Sequence, residues 1–203
     1  MNSIKILTLN ARGLKNRLKR ISLFHQIRKL RCDIVCLQET HITPSDSQLW
    51  EKEWGGQIVY VQGTGNSRGE MILFGKNTPL TLEIIHKEYK IIILSIRSDN
   101  FTCAVCNVYA ANNKREKINY FDRLLKLLDR CDINSLMLLG DFNTIMNNDL
   151  DIVSGKPHSV REVTAVSNLV NELMLTDAWR LHHGKEKKYT WSRICPFIDR
   201  RLE

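Results

Sequence analysis

Four apolar runs in this chain each end in a side chain that can do polar chemistry. "IKILTLN" (4–10) closes on Asn10, "DIVCLQE" (33–39) on Glu39, and "FTCAVCNVY" (101–109) on Tyr109. "SLMLLGDFNTIM" (135–146) runs straight into Asp141 and Asn143. Carboxylates, carboxamides and a phenol brought to one rim would offer hard oxygen ligands to a cation and hydrogen-bond donors to an anion. Each residue also has an ordinary use. Asn10 and Asn143 suit turns, Asp141 after Gly140 suits a cap or Asx-turn, Glu39 suits a solvated loop, and Tyr109 suits a half-buried strand. The repetition over four runs is what points to a site, because strand ends in layered α/β folds are where functional groups collect.

The elements that must carry these residues follow from pattern. Further strands are expected at "GQIVYV" (56–61), "EMILFG" (70–75), "LTLEIIH" (80–86), "KIIILSI" (90–96) and "KYTWS" (188–192), from β-branched content and turn punctuation. Helical spacing is carried by Leu18, Ile21, Phe24, Ile27 and Leu30, and by Ile118, Phe121, Leu124, Leu125 and Leu128. It recurs in Val163, Val166, Leu169, Val170 and Leu173. Asn113 with Glu116, and Ser159 with Glu162, are spaced as helix starts. Strand–helix–strand, then several antiparallel strands, then helix–strand–helix–strand predicts an α/β sandwich of two mixed sheets covered by helices.

The bulk numbers fit a single domain over residues 1–203, with no repeat, linker or low-complexity tract. Lys and Arg total 30 against 22 acidic residues, a net +8 that favours a polyanionic partner, nucleic acid before an anionic membrane surface. No apolar run approaches the roughly 20 residues of a membrane span. "MNSIKILTLN" has too short an apolar core for a secretory signal, so an intracellular setting, cytoplasm and nucleus, is expected. The six cysteines are then expected as buried thiols. Cys103 and Cys106, three apart on a strand, face opposite sides and do not share a metal.

"TLNARGL" (8–14), "IVCLQETH" (34–41), "NVYAANN" (107–113), "LLGDFNTI" (138–145) and "YTWS" (189–192) stand in the order of the endonuclease/exonuclease/phosphatase superfamily. The chain resembles that superfamily, whose fold is the DNase I-like sandwich. "LDIVSGKPH" and "LTDAWRLHHGKEKKYTWS" followed by "IDR" resemble in particular the endonuclease domain of non-LTR (LINE-type) retrotransposons. The resemblance implies a divalent-metal-dependent phosphodiester hydrolase, Mg²⁺ or Mn²⁺ being the cofactor and DNA the partner, which nicks target DNA. It implies that Glu39 binds the metal with Asn10, that Asp141 activates or positions the nucleophile, and that Asn143 orients the phosphate. By the same resemblance Tyr109 contacts the phosphate, Asp199 supports the site, and Asn112, Arg12, Lys15 and Thr190 contact DNA. Arg12, Lys15, Arg17, Lys19 and Arg20 form a basic stretch suited either to a nucleic-acid backbone or to the solvated face of a helix.

The chain departs from the family pattern in several places. It ends at "FIDRRLE", ahead of the family's Ser-Asp-His motif and final strands, so a C-terminally shortened domain with an unpaired sheet edge and impaired turnover is expected. Arg12 replaces the Asp of repair enzymes, and Ala111 the usual Pro. Glu70 stands where small or apolar residues are usual, costly if it faces a core unpaired. The competing readings are an apurinic-type repair endonuclease or exonuclease, and a non-catalytic basic nucleic-acid-binding remnant.

Overall fold

The computed structural model describes residues 4–63, 69–75, 78–131, 133–153, 156–194 and 197–200, with side chains through residue 190. Its elements are β1 (Ile6–Asn10), α1 (Arg17–Leu30), β2 (Ile34–Gln38), α2 (Pro44–Trp54), β3 (Ile58–Val61), β4 (Glu70–Phe74), β5 (Thr81–Glu88), β6 (Ile91–Ser98) and β7 (Phe101–Tyr109). There follow α3 (Lys114–Asp129), β8 (Leu136–Asp141), α4 (Asn148–Asp151), α5 (Val160–Glu172), α6 (Ala178–His183), β9 (Trp191–Ile194) and β10 (Phe197–Arg200). They fall into two compact units, Met1–Tyr109 with Ile133–Asp141, and Ala110–Asp132 with Phe142–Glu203.

The first unit holds two four-stranded mixed sheets, ordered β1-β2-β4-β3 and β5-β6-β7-β8. Each contains one parallel pair, β1 with β2 and β7 with β8, and is otherwise antiparallel. Strand alternation builds the core. Ile34, Cys36, Ile72 and Phe74 from one sheet cluster with Ile92, Leu94, Ile96 and Val105 from the other. The opposite face of the first sheet, Val35, Leu37, Met71 and Leu73, packs on Phe24 and Ile27 of α1 and on Trp50 and Trp54 of α2. β2 and β4 are therefore buried on both faces, which is why "IVCL" and "MILF" are unbroken apolar runs.

Helix α1 starts at Asn16, whose side chain accepts from Lys19 N, and ends at a left-handed Arg31. Its expected stripe is only partly buried: Phe24 and Ile27 are inside, while Leu18 and Leu30 are exposed. A spacing of three falls about 60° short of a full turn at each step, so the ends of a long stripe walk off the buried face. Helix α2 was not expected from pattern, because only Trp50 and Trp54 along it are buried. Its capping box, Thr43 with Asp46, and Pro44 at the first position were nonetheless legible.

In the second unit α3 and α5 begin where expected. Asn113 caps α3 through Arg115 N and Glu116 N, and Ser159 with Glu162 forms a capping box on α5. The four-residue α4 and six-residue α6 are too short to show a period. The last expected strand lies slightly later, at Trp191–Ile194, and pairs antiparallel with β10. Five of the six cysteines are described and none of the five is in a disulfide; Cys36, Cys103 and Cys106 are buried.

Candidate active site

Both parallel pairs leave their sheets at the same rim of the first unit. Asn10 at the end of β1 is the register partner of Gln38 on β2, and Tyr109 at the end of β7 is the partner of Asp141 on β8. Two hydrogen bonds cross from sheet to sheet. Asn10 Nδ2 donates to Asp141 Oδ2 at 2.8 Å, and Tyr109 OH donates to Glu39 Oε1 at 2.6 Å. The structure thus brings Asn10, Glu39, Tyr109 and Asp141 into a ring at the rim: two cross-sheet hydrogen bonds, with Tyr109 and Asp141 paired in register and Asn10 paired with Gln38, the neighbour of Glu39.

Alternation explains three of the four. Ile34, Cys36 and Val105 face the inter-sheet core, so Tyr109, four residues beyond Val105, continues the inward register to the rim. Ile6 packs on the same core four residues before Asn10, and Leu139 two residues before Asp141. Glu39 is out of phase with Cys36 and would face the helices if β2 continued. Its backbone instead turns left-handed, φ 52°, and the carboxylate reaches the Tyr109 hydroxyl. Glu39 is not a lone outlier, since Arg12 (φ 47°) and His41 (φ 62°) are also left-handed. The two loops are zipped together by Ala11 N to Gln38 O (2.8 Å), Gly13 N to Glu39 O (2.6 Å) and Leu14 N to Thr40 O (2.9 Å). Non-glycine residues held at positive φ concentrate at functional sites, where the surroundings over-determine them.

Gly140 sets the other side of the ring. A Cβ there would lie 2.0 Å from the Val108 carbonyl oxygen, and φ is +143°. Only glycine lets β8 lie this close to β7 and place Asp141 beside Tyr109.

Beneath the ring is a carboxamide pair that pattern reading did not single out. Gln38 Nε2 donates to Asn107 Oδ1 at 2.7 Å and to Thr8 Oγ1 at 3.1 Å, and Asn107 Nδ2 donates to Leu37 O at 3.3 Å. Both amides are buried. The available signal was a polar residue inside each of two apolar strands, an expensive placement unless paired. Glu70 is fully buried as well. Its Oε2 accepts from Lys90 N at 3.0 Å, Oε1 has no hydrogen-bond partner, and burial pushes the carboxyl up to about 8. Lys90 in turn lies over the Tyr109 ring, 5.6 Å from its centroid.

The ring's donors are two carboxylates and an amide oxygen, a hard set suited to Mg²⁺ or Mn²⁺, ions that take one or two protein carboxylates and keep waters or substrate phosphate as the remaining ligands. Among the described residues no three His, Cys, Asp or Glu side chains gather as a self-sufficient metal cage.

The remaining expected residues are placed as follows. Asn143 belongs to the second unit, is left-handed (φ 48°), and donates through Nδ2 to Ala110 O at 2.8 Å. Asn112 and Thr190 are exposed in that unit, and Asp199 lies on β10 opposite Ser192 with its side chain outside the described residues. Arg12 is exposed, its N–H bonded to Asn10 Oδ1 at 3.0 Å. Lys15 pairs with Asp46 and donates to Thr43 Oγ1 at 3.2 Å. Arg17 and Arg20 share Glu53 at 3.2 and 2.7 Å, and Lys19 donates to Ala11 O and Arg12 O, both at 2.8 Å. Four of the five cations in the basic stretch hold the loop after β1 and helix α2.

The family model described as the Endonuclease/Exonuclease/phosphatase family matches residues 7–157. The chain belongs to this family. The matched span contains all four ring residues. A transposon protein from Xenopus laevis, the uncharacterised 149 kDa protein of TX1, is 26% identical over 195 residues, 95% of this chain and 15% of that protein. The endonuclease domain of TRAS1, a telomere-specific non-LTR retrotransposon, superposes with a TM-score of 0.71 at 14% identity, covering 98% of this chain and 83% of that one. An AP endonuclease from Archaeoglobus fulgidus gives 0.72 at 19% identity, covering 94% and 79%. The fold is accordingly the DNase I-like one, two mixed β-sheets with flanking helices.

Proposed function

We propose that the chain is the endonuclease domain of a retroelement, a metal-dependent phosphodiester hydrolase that nicks DNA. The observation that carries this is the gathering of Asn10, Glu39, Tyr109 and Asp141 at one rim by two cross-sheet hydrogen bonds. The likeness to transposon TX1, over 95% of this chain and 15% of that protein, supports the retroelement context.

In this reading Glu39 holds Mg²⁺ or Mn²⁺ together with Asn10. The ion, when bound, shields phosphate charge and acidifies a coordinated water. Asp141, oriented by the Asn10 amide, positions the attacking water and takes its proton. Tyr109 holds the Glu39 carboxylate with its single O–H before substrate binds and passes that donor to a phosphate oxygen as charge builds there. Asn143, two residues beyond Asp141 in the chain, orients the phosphate through its amide, and Asp199 supports the site. Arg12, Lys15, Asn112 and Thr190 meet the DNA backbone, which makes binding fall with salt. The working place of such a domain is the nucleus, after synthesis in the cytoplasm.

Supercoiled-plasmid nicking tests the proposal, with Mg²⁺ or chelator and with Asp141→Ala. Nicking that needs the cation and disappears in Asp141→Ala is expected. Nicking that survives Asp141→Ala would overturn the assigned chemistry. Salt-sensitive binding with no nicking would mark a nucleic-acid-binding module instead.

A further inference from the structure

Lys117 lies in the first turn of α3 and is 3% exposed. A buried ammonium is costly unless fully paired. Its Nζ donates to the backbone oxygen of Asn143 and, at 3.0 Å, to Glu162 Oε1. Glu162 is itself fixed, because Oε2 accepts from Ser159 N at 3.2 Å and Ser159 Oγ at 2.8 Å in the capping box of α5. Burial pushes the Glu162 carboxyl up, but the bonds from Ser159 and Lys117 outweigh it and bring it to about 2. Asn143 is therefore gripped twice, its carbonyl by Lys117 and its amide by Ala110 O. The next residue is anchored too: Thr144 is fully buried and its hydroxyl lies 3.3 Å from His158 Nδ1.

We propose that Lys117, locked by Glu162, is a positioning residue for Asn143, holding the left-handed backbone from which the Asn143 amide is presented. The importance of that amide rests on the phosphate-orienting role assigned to it above. A pair serving stability alone has no need to reach Asn143, and apolar residues of similar size replace such pairs at little cost. A pair that positions Asn143 is not replaceable in this way, since the carbonyl of a left-handed residue would lose its donor.

The test is Lys117→Met with Glu162→Leu, made together. The expected result is a melting temperature within a few degrees of the parent, a kcat for Mg²⁺-dependent nicking at least tenfold lower, and a KM for DNA within twofold. In an Asn143→Ala background the same double change is expected to cost less than twofold. Lys117→Gln, which keeps an N–H donor, is expected to retain most of the parent rate, and Lys117→Met with Glu162→Gln, which keeps an acceptor for Ser159, replaces the double variant should that fail to fold, with the same loss expected. Parent-like kcat in the double variant, or a loss that adds in full to Asn143→Ala, overturns the proposal. The side-chain amide resonances of ¹⁵N-labelled Asn143 give a readout free of catalysis. They are expected to move to solvent-exposed positions in the double variant, and unchanged resonances overturn the clamp. A parent chain that never nicks defeats the functional reading, while these resonances still decide whether Lys117 holds Asn143.

Discussion

Asn10 Nδ2 donates a 2.8 Å hydrogen bond to Asp141 Oδ2, joining residues 131 positions apart at the ends of two strands in different sheets. Removing a hydrogen bond to a charged group costs about 1.5–3 kcal/mol. If Asn10 orients Asp141 for proton transfer, Asn10→Ala lowers kcat for nicking by about ten- to a hundredfold, since each 1.4 kcal/mol is a factor of ten. Circular dichroism and a melting curve are expected to show the fold retained.

Tyr109 donates its hydroxyl to Glu39 Oε1 at 2.6 Å. Tyr109→Phe keeps the ring beside Lys90 and deletes that bond. Weaker Mn²⁺ binding and slower nicking are expected together, because Glu39 loses the donor that aims it. Calorimetric Mn²⁺ titration alongside nicking checks this, and slower nicking with unchanged Mn²⁺ affinity would assign Tyr109 to phosphate alone.

Two buried carboxyls give stability opposite dependences on pH. Burial raises Glu70 from 4.5 to about 8, so the folded protein holds this proton more tightly than the unfolded chain. Its contribution is fully present below pH 4.5 and is lost as pH rises towards 8. Glu162 is lowered to about 2, so its contribution is present above 4.5 and is lost as pH falls towards 2. Urea melts at pH 5 and pH 8 are expected to show Glu70→Gln removing part of the alkaline loss. Urea melts at pH 3 and pH 5 are expected to show Glu162→Gln flattening the acid side.

Gly140→Ala places a methyl 2.0 Å from the Val108 carbonyl oxygen. Strand β8 must then shift away from β7, with a destabilisation above about 3 kcal/mol. A chemical-denaturation midpoint close to the parent's would mean that β7 and β8 are not so closely apposed.

The strand ends were legible because an apolar run closing on Asn, Glu, Tyr or Asp breaks its own pattern, and the capping pairs Asn113–Glu116 and Ser159–Glu162 were legible as spacing. The bonds that assemble the site were not. Tyr109 and Glu39 are 70 positions apart, and nothing local to "LQETH" announces that Glu39 turns left-handed. The basic stretch after β1 read as a nucleic-acid backbone track or the solvated face of a helix, because nothing in its own residues shows the acids it meets. The acids that engage Lys15, Arg17 and Arg20 are Asp46 and Glu53, both on α2. Glu70 was visible as an anomaly, but its hydrogen bond to Lys90 N depends on the β5–β6 turn meeting β4, a tertiary fact.

The most direct measurement is an anomalous-scattering map from crystals soaked in Mn²⁺. We expect one strong peak at the rim, ligated by Glu39 with Asn10 and Asp141 adjacent, and lost in crystals of Glu39→Gln. A protein that binds Mn²⁺ only elsewhere, or equally well in Glu39→Gln, would mean that the four strand ends gather for some purpose other than holding a cation and its phosphate.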